Sequence, residues 1–175
     1  MAGRPLTPDN FTAAEVVRLL RLEPLDQEGG YFRRTAESGT VLPDGRRAHS
    51  VIYSLFTPEA FSAIHRLKSD EVWCFHAGDP LESLRLGTDG GGAWVRLGLN
   101  VAAGENPHDV IPAGTWQGTR IAAGGRWALL SCIVAPEFVW ENFELGDRAA
   151  LCAAYPRFAE GIRVLTRFQP IKGAK

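Results

Sequence analysis

A histidine and a glutamate, His65 and Glu71, are the residues best placed to do chemistry in this chain. They lie within Phe61–Pro80, FSAIHRLKSDEVWCFHAGDP. An alternating run (Phe61, Ala63, His65, Leu67) meets a polar turn at Lys68-Ser69-Asp70, and a second run follows (Glu71, Trp73, Phe75). Period-two alternation on both sides of a short turn predicts two antiparallel strands. If these sets face inward, the imidazole and the carboxylate enter one apolar cavity. A carboxylate beside an imidazole can hold its tautomer and stabilise its charged form, which suits it to proton transfer. Burial disfavours an isolated Glu71 anion, so the two groups should titrate as a coupled pair. Removing a proton beside a carbonyl, as in sugar epimerisation, needs a base placed this way.

Other residues join on weaker grounds. Tyr53 is a candidate donor of the opposing proton by strand parity alone. Trp73, Phe75 and Trp116 could form stacking walls for a sugar face, and Gln117 is counted with them as substrate-binding. Arg33, or its neighbour Arg34, could meet a phosphate or carboxylate. Each has a plainer reading. His65 and Glu71 could be a satisfied buried hydrogen bond, the aromatics ordinary core, and the arginines a solvated strand edge.

The elements that must position these residues read as many short strands between terminal helices. Thr12 and Glu15 fit a capping box for a helix from about Ala13 to Leu22, ended by Pro24. Strands are expected over Tyr31–Thr35, Val51–Thr57, Leu81–Leu86, Trp94–Leu99 and Asp109–Ile111. Pro112-Ala113-Gly114 is a tight turn delivering Thr115, Trp116 and Gln117. Trp127–Pro136 is nearly all apolar and predicts a strand buried on both sides. Asp147–Tyr155 and Arg157–Leu165 read as short helices. Nineteen glycines and 11 prolines punctuate the chain at intervals that suit tight turns. The fold expected is all-β, a double-sheet jelly roll or small barrel with a cavity open at one end.

Composition narrows the function classes. At 175 residues the chain is most simply a single domain, 1–175, with a barrel core over roughly 28–136. A net charge of -1 gives no reason to expect nucleic acid or an anionic membrane as partner. There is no apolar run long enough for a membrane span, and MAGRPLTPDN lacks a signal core. The three cysteines, Cys74, Cys132 and Cys152, are odd in number with no CxxC, so free thiols in a reducing cytoplasm are expected.

The run from His65 to Gly78 resembles the first motif of the cupin superfamily, in which two histidines one residue apart precede a glutamate and then a glycine. His65, Glu71 and Gly78 take matching positions. Pro112-Ala113-Gly114 with Gln117 resembles the second motif, Pro-x-Gly followed by a histidine. EGGYFRRT, IPAGTWQG, VAPEF and the stretch around Ala154-Tyr155-Pro156 are similar to the fifth cupin family in particular, over about Leu20 to Leu165. The resemblance implies a double-stranded β-helix with short flanking helices, paired as a homodimer and similar in fold to deoxysugar-nucleotide epimerases. Leu67 and Gln117 stand where metal-binding cupins place their other histidines. Leucine donates nothing and an amide oxygen is a weak neutral ligand. No cofactor is therefore expected, and a divalent metal on His65, Glu71 and Gln117 is the alternative. Three functions follow: an epimerase- or isomerase-like proton-transfer enzyme acting on a sugar or sugar-nucleotide-like molecule, a non-catalytic ligand-binding module, and a metal-dependent oxygenase or isomerase.

Overall fold

The structure, a computed structural model, describes residues 3–167. Helix α1 (Ala13–Leu20) starts at the expected capping box: the Thr12 hydroxyl accepts from the Glu15 N–H, and the Glu15 carboxylate accepts from the Thr12 N–H. It ends two residues earlier than the apolar spacing suggests. Arg21 turns left-handed at φ 53°, so Leu22 folds back into the core instead of extending the helix.

Eleven strands follow the order β1 (Glu23–Pro24), β2 (Tyr31–Glu37), β3 (Ser50–Phe56), β4 (Ser62–Leu67), β5 (Asp70–Gly78), β6 (Leu81–Leu86), β7 (Gly92–Leu97), β8 (His108–Ile111), β9 (Trp116–Ile121), β10 (Ala128–Ala135) and β11 (Phe143–Leu145). They form two antiparallel sheets, one of order β1-β2-β3-β10-β5-β8 and one of order β11-β4-β9-β6-β7. This is the all-β jelly roll that the turn spacing predicts. Helices α2 (Arg148–Ala154) and α3 (Ala159–Leu165) close the described chain. Among the described residues no helix is long and apolar enough to cross a membrane.

Three apolar clusters explain why so many strands are buried on both faces. Between the sheets lie Phe56, Trp73, Phe75, Leu81, Leu97, Ile111 and Leu130. On the outer face of the five-stranded sheet, Ile64, Leu84 and Leu86 meet Leu151, Tyr155, Ile162 and Leu165 from the closing helices. On the outer face of the six-stranded sheet, Leu55, Trp127 and Leu129 are covered by Val16 of α1. Enclosing a side chain of Leu or Phe size stabilises by about 1.5–3 kcal/mol, so each covered face holds its helix in place. The interior cluster fills one end of the barrel, and the other end stays open as a cavity.

Pairing across β5 sets what faces that cavity. Glu71 pairs with Val134 and Trp73 with Cys132, but the register slips between Leu129 and Leu130, leaving His76 without a partner on β10. His76 lies on the outer face by strand parity, opposite to Glu71, Trp73 and Phe75, and the bulge turns Ala77 to that face as well. The His76 Nε2 lies 2.6 Å from the Ser131 hydroxyl, and its ring meets Tyr53 edge-on.

Candidate functional site

The cavity between the sheets has a volume of about 330 Å³ and is lined by both acidic and aromatic residues. Glu28, Arg34, His65 and Glu71 give it polar points, and Phe32, Phe138 and Trp140 give it aromatic walls. A larger groove, about 570 Å³, crosses the outer face of the five-stranded sheet. Its arginines Arg96 and Arg120 are neutralised by Glu82 and Glu105, so the interior cavity is the better candidate.

His65 enters from β4, with Ala63 and Leu67 on the same inward face. Its Nδ1 lies 2.9 Å from the Ala63 carbonyl oxygen. A carbonyl only accepts, so Nδ1 carries the proton and Nε2 keeps its lone pair. The ring stacks on Phe143 at 5.1 Å between centroids, and the residue is 2% exposed.

Gln117 of β9 pairs directly opposite His65. Its Nε2 donates to His65 Nε2 at 3.2 Å and also to Glu71 Oε2. The Arg85 guanidinium fixes this orientation: its Nη1 donates to Gln117 Oε1 at 2.9 Å, and a guanidinium can only donate. The amide oxygen must therefore face Arg85, and the NH2 must face the imidazole and the carboxylate. Arg85 is held in turn by Asp109 Oδ2, at 3.0 Å from Nε and 2.9 Å from Nη2. It also lies over the Trp73 ring, 5.2 Å from the centroid. Arg85 thus donates both to Asp109 and to Gln117, and Gln117 donates in turn to His65 and Glu71.

Burial pushes the Glu71 carboxyl above its ordinary range, and Glu28 adds to the rise; His65 and the Gln117 hydrogen bond pull the other way. The Trp73 indole N–H also favours the Glu71 anion, although it makes no well-formed hydrogen bond among the described residues. Burial likewise raises the Cys132 thiol, which makes it a neutral wall of the cavity and not a nucleophile. The cysteines are all unpaired.

The residues singled out from sequence divide into three groups. His65, Glu71 and Gln117 are brought together. Trp73 and Phe75 face inward but belong to the packed end of the barrel. They are core side chains and not walls of the cavity. Tyr53, Arg33 and Trp116 lie elsewhere. Tyr53 packs on the outer face with the α1 cluster, because Ile52 and Ser50 are the inward residues of β3. Arg33 lies over the Tyr53 ring on that outer face, whereas Arg34 reaches the cavity. Trp116 is covered by the Arg66 guanidinium at 4.4 Å and packs towards the closing helices.

Several cavity residues escape the strand pattern. Glu28 sits in the turn before β2, where Gly29 has φ 117° and a Cβ there would lie 2.1 Å from the Phe61 carbonyl oxygen. The paired glycines of EGGYF are the signal for that close approach. Phe138, Trp140 and Phe143 form an edge-to-face cluster between β10 and β11. Arg85 alternates with Leu84 and Leu86, which reads as a solvated strand face.

A resident transition metal does not fit this donor set. Leu67 lines the cavity without a donor atom, and the Gln117 nitrogen offers its hydrogens to His65 and Glu71. Arg85 places a positive charge directly behind it. Among the described residues no three His, Cys, Asp or Glu side chains converge as a metal-binding group.

Comparison with known proteins places this architecture. The model of the family described as cupin superfamily (DUF985) matches residues 14–146. Among solved structures, a hypothetical protein from Leishmania major is 33% identical, with a TM-score of 0.84 over 90% of this chain and 100% of its own. A protein from Shewanella oneidensis is 34% identical, with a TM-score of 0.84 over 91% of this chain and 99% of its own. A variant of Bacillus subtilis oxalate decarboxylase is 14% identical, with a TM-score of 0.53 over 87% of this chain and 44% of its own, a likeness of fold alone. Among curated proteins none matches. With the family model spanning most of the chain and two solved structures alike along nearly their whole length, the protein belongs to the cupin superfamily, in the DUF985 family.

Proposed function

We propose that the protein binds a small sugar-like molecule in the cavity and acts on it as an epimerase- or isomerase-like proton-transfer enzyme. The observation that carries this reading is the Gln117 bridge. One amide holds an imidazole lone pair and a buried carboxylate at a single point of the cavity wall. Burial gives Glu71 a higher proton affinity than an exposed carboxylate has, which brings it closer to the working range of a general base or acid near neutral pH. Removing a proton from carbon beside a carbonyl needs no electron acceptor, only such a group and a charge-holding partner.

The electrostatics favour an unphosphorylated ligand over a nucleotide-linked one. Glu28 and Glu71 both face the cavity, while Arg34 is already engaged by Glu37 and Arg33 points away. Hydroxyl groups can donate to the two carboxylates, and a sugar face can pack on Trp140 and Phe138.

The same bridge supports a second reading, a ligand-binding module without turnover. With Gln117 in place, His65 and Glu71 satisfy each other's polar demands through one amide, as a purely structural network would. The two readings part on one experiment. Ligands that raise the melting temperature of the protein are incubated with it in deuterated water, and carbon-bound deuterium is measured. Incorporation lost in His65→Ala, with binding retained, supports the enzyme. Binding without incorporation supports the module.

A further inference from the structure

Glu28 is the cavity's second carboxylate, and the structure gives it a defined place relative to the imidazole. Its Oε1 lies 3.9 Å from His65 Nδ1, whereas Gln117 and Glu71 approach the ring from Nε2. The two carboxylates therefore stand at opposite edges of one imidazole, and both line the cavity.

The placement is built. The Glu28 carbonyl oxygen accepts from the Ala63 N–H at 2.9 Å, tying the turn to β4 beside His65. Its carboxylate accepts from the Ser62 hydroxyl at 2.6 Å, and Ser62 is fully buried. The adjoining Gly29 fits only without a side chain. No Lys or Arg among the described residues pairs with Glu28: its ion-pair neighbour is His65.

We propose that Glu28 is a catalytic residue, the second proton-transfer group of a two-base reaction on an unphosphorylated hydroxyaldehyde or hydroxyketone; this rests on the proton-transfer reading above. Glu28, as carboxylate, takes the proton from the carbon beside the carbonyl. The C–H electron pair becomes the C=C bond of an enediol, and the carbonyl π pair moves to oxygen, which takes a proton from solvent. Glu71, as acid, returns a proton to the opposite face of the same carbon. The enediol electrons form the new C–H bond, and the carbonyl re-forms as its oxygen releases the borrowed proton to solvent. One proton has left and one has arrived, with no net oxidation. The configuration at that carbon is inverted, and proton exchange with water resets the two carboxyls.

The test uses D-glucose, D-mannose and D-fructose, which share one 1,2-enediol, with the full-length protein in deuterated water. Wild type is expected to exchange the C2 hydrogen and to interconvert glucose and mannose. Glu28→Gln keeps the side-chain shape and the Ser62 contact. It should still bind the hexose, with kcat for inversion down by about 100-fold or more and KM little changed. Glu28→Asp, which keeps an acid, should recover part of that loss. Inversion in Glu28→Gln within about twofold of wild type overturns the role of Glu28 and leaves the proton-transfer reading standing. Hexose binding by wild type without any exchange overturns both, as does a failure to bind these hexoses. If Glu28→Gln fails to fold, Glu28→Asp decides: unchanged kcat and pH profile overturn the proposal, and a lowered kcat with a shifted profile supports it.

Discussion

Two histidines on consecutive strands of this protein have opposite surroundings. His65 faces inward, enclosed, with its tautomer set by the Ala63 carbonyl, Gln117 at Nε2 and Glu28 near Nδ1. His76, on the outer face of β5, meets Ser131 and Tyr53 and is solvent-exposed. Both rings have a close polar partner, so a hydrogen bond alone does not mark a functional histidine. What separates them is the company of carboxylates in a cavity large enough for a ligand. Around His65, the hydrogen bonds donated by Arg85 and then Gln117 make Nε2 the acceptor, whereas His76 lies open to solvent.

Sharpest among the ways to break this contrast is activity. His65→Ala is expected to lower solvent exchange into a bound ligand by about 100-fold or more, while His76→Ala should leave it within about twofold. Equal losses at the two sites would erase the distinction.

Stability provides the next contrast. Arg85→Met removes the cation between Asp109 and Gln117, leaving a half-buried carboxylate and a buried amide oxygen without that donor. Breaking a fully buried pair costs about 3–5 kcal/mol; with Asp109 half-buried the loss should be about 2–3 kcal/mol, which urea unfolding will read as a lower midpoint. His76→Ala, at an exposed site, should cost about 1 kcal/mol or less.

A subtler difference lies in pH dependence. Glu71 has a raised pKa in the fold, so its contribution to stability is fully present below about 4.5, its ordinary value, and is lost as pH rises through the raised folded value. His76 has a lowered pKa because of desolvation. Its contribution is present above its ordinary 6.5 and is lost as pH falls through the folded value. Glu71→Gln should therefore remove a loss of stability on the alkaline side, and His76→Gln one on the acid side. Unfolding free energies from pH 4 to 8, on the order of a few points per variant, will show whether the two slopes have opposite signs.

The contrast between these rings also explains what the residue pattern can and cannot tell. Period two correctly groups His65 with Ala63 and Leu67, and Glu71 with Trp73 and Phe75, because both strands of that hairpin face the interior with one parity. It does not say which parity faces inward when both faces of a strand are covered. On β3, Leu55 with half-buried Tyr53 packs under α1 while Phe56 with half-buried Ile52 packs between the sheets, so both sets look alike. Strand parity alone points Tyr53 to the cavity for that reason, and the structure puts it on the outer face with Arg33 over its ring. Trp73 and Phe75 show a different limit: the correct face at the wrong end of the barrel. Arg85 is invisible to a rule that sends charged strand residues to solvent, since its burial depends on Asp109 from β8, a partner distant in sequence. Glu28 and the Phe138–Phe143 cluster lie in turns, where no periodicity exists to read. The fold was legible because turns and alternation are local; the polar network was not, because it is assembled from five strands.

The most direct measurement is deuterium incorporation into a bound hydroxycarbonyl compound by untagged protein, before and after exhaustive chelation, beside His65→Ala treated alike. Incorporation that survives chelation in wild type and is lost in His65→Ala, with ligand still bound, is the result expected of an imidazole–carboxylate pair working through its own protons. A tightly bound ligand that gains no deuterium, or a gain that disappears with chelation and returns with added divalent metal, would contradict it.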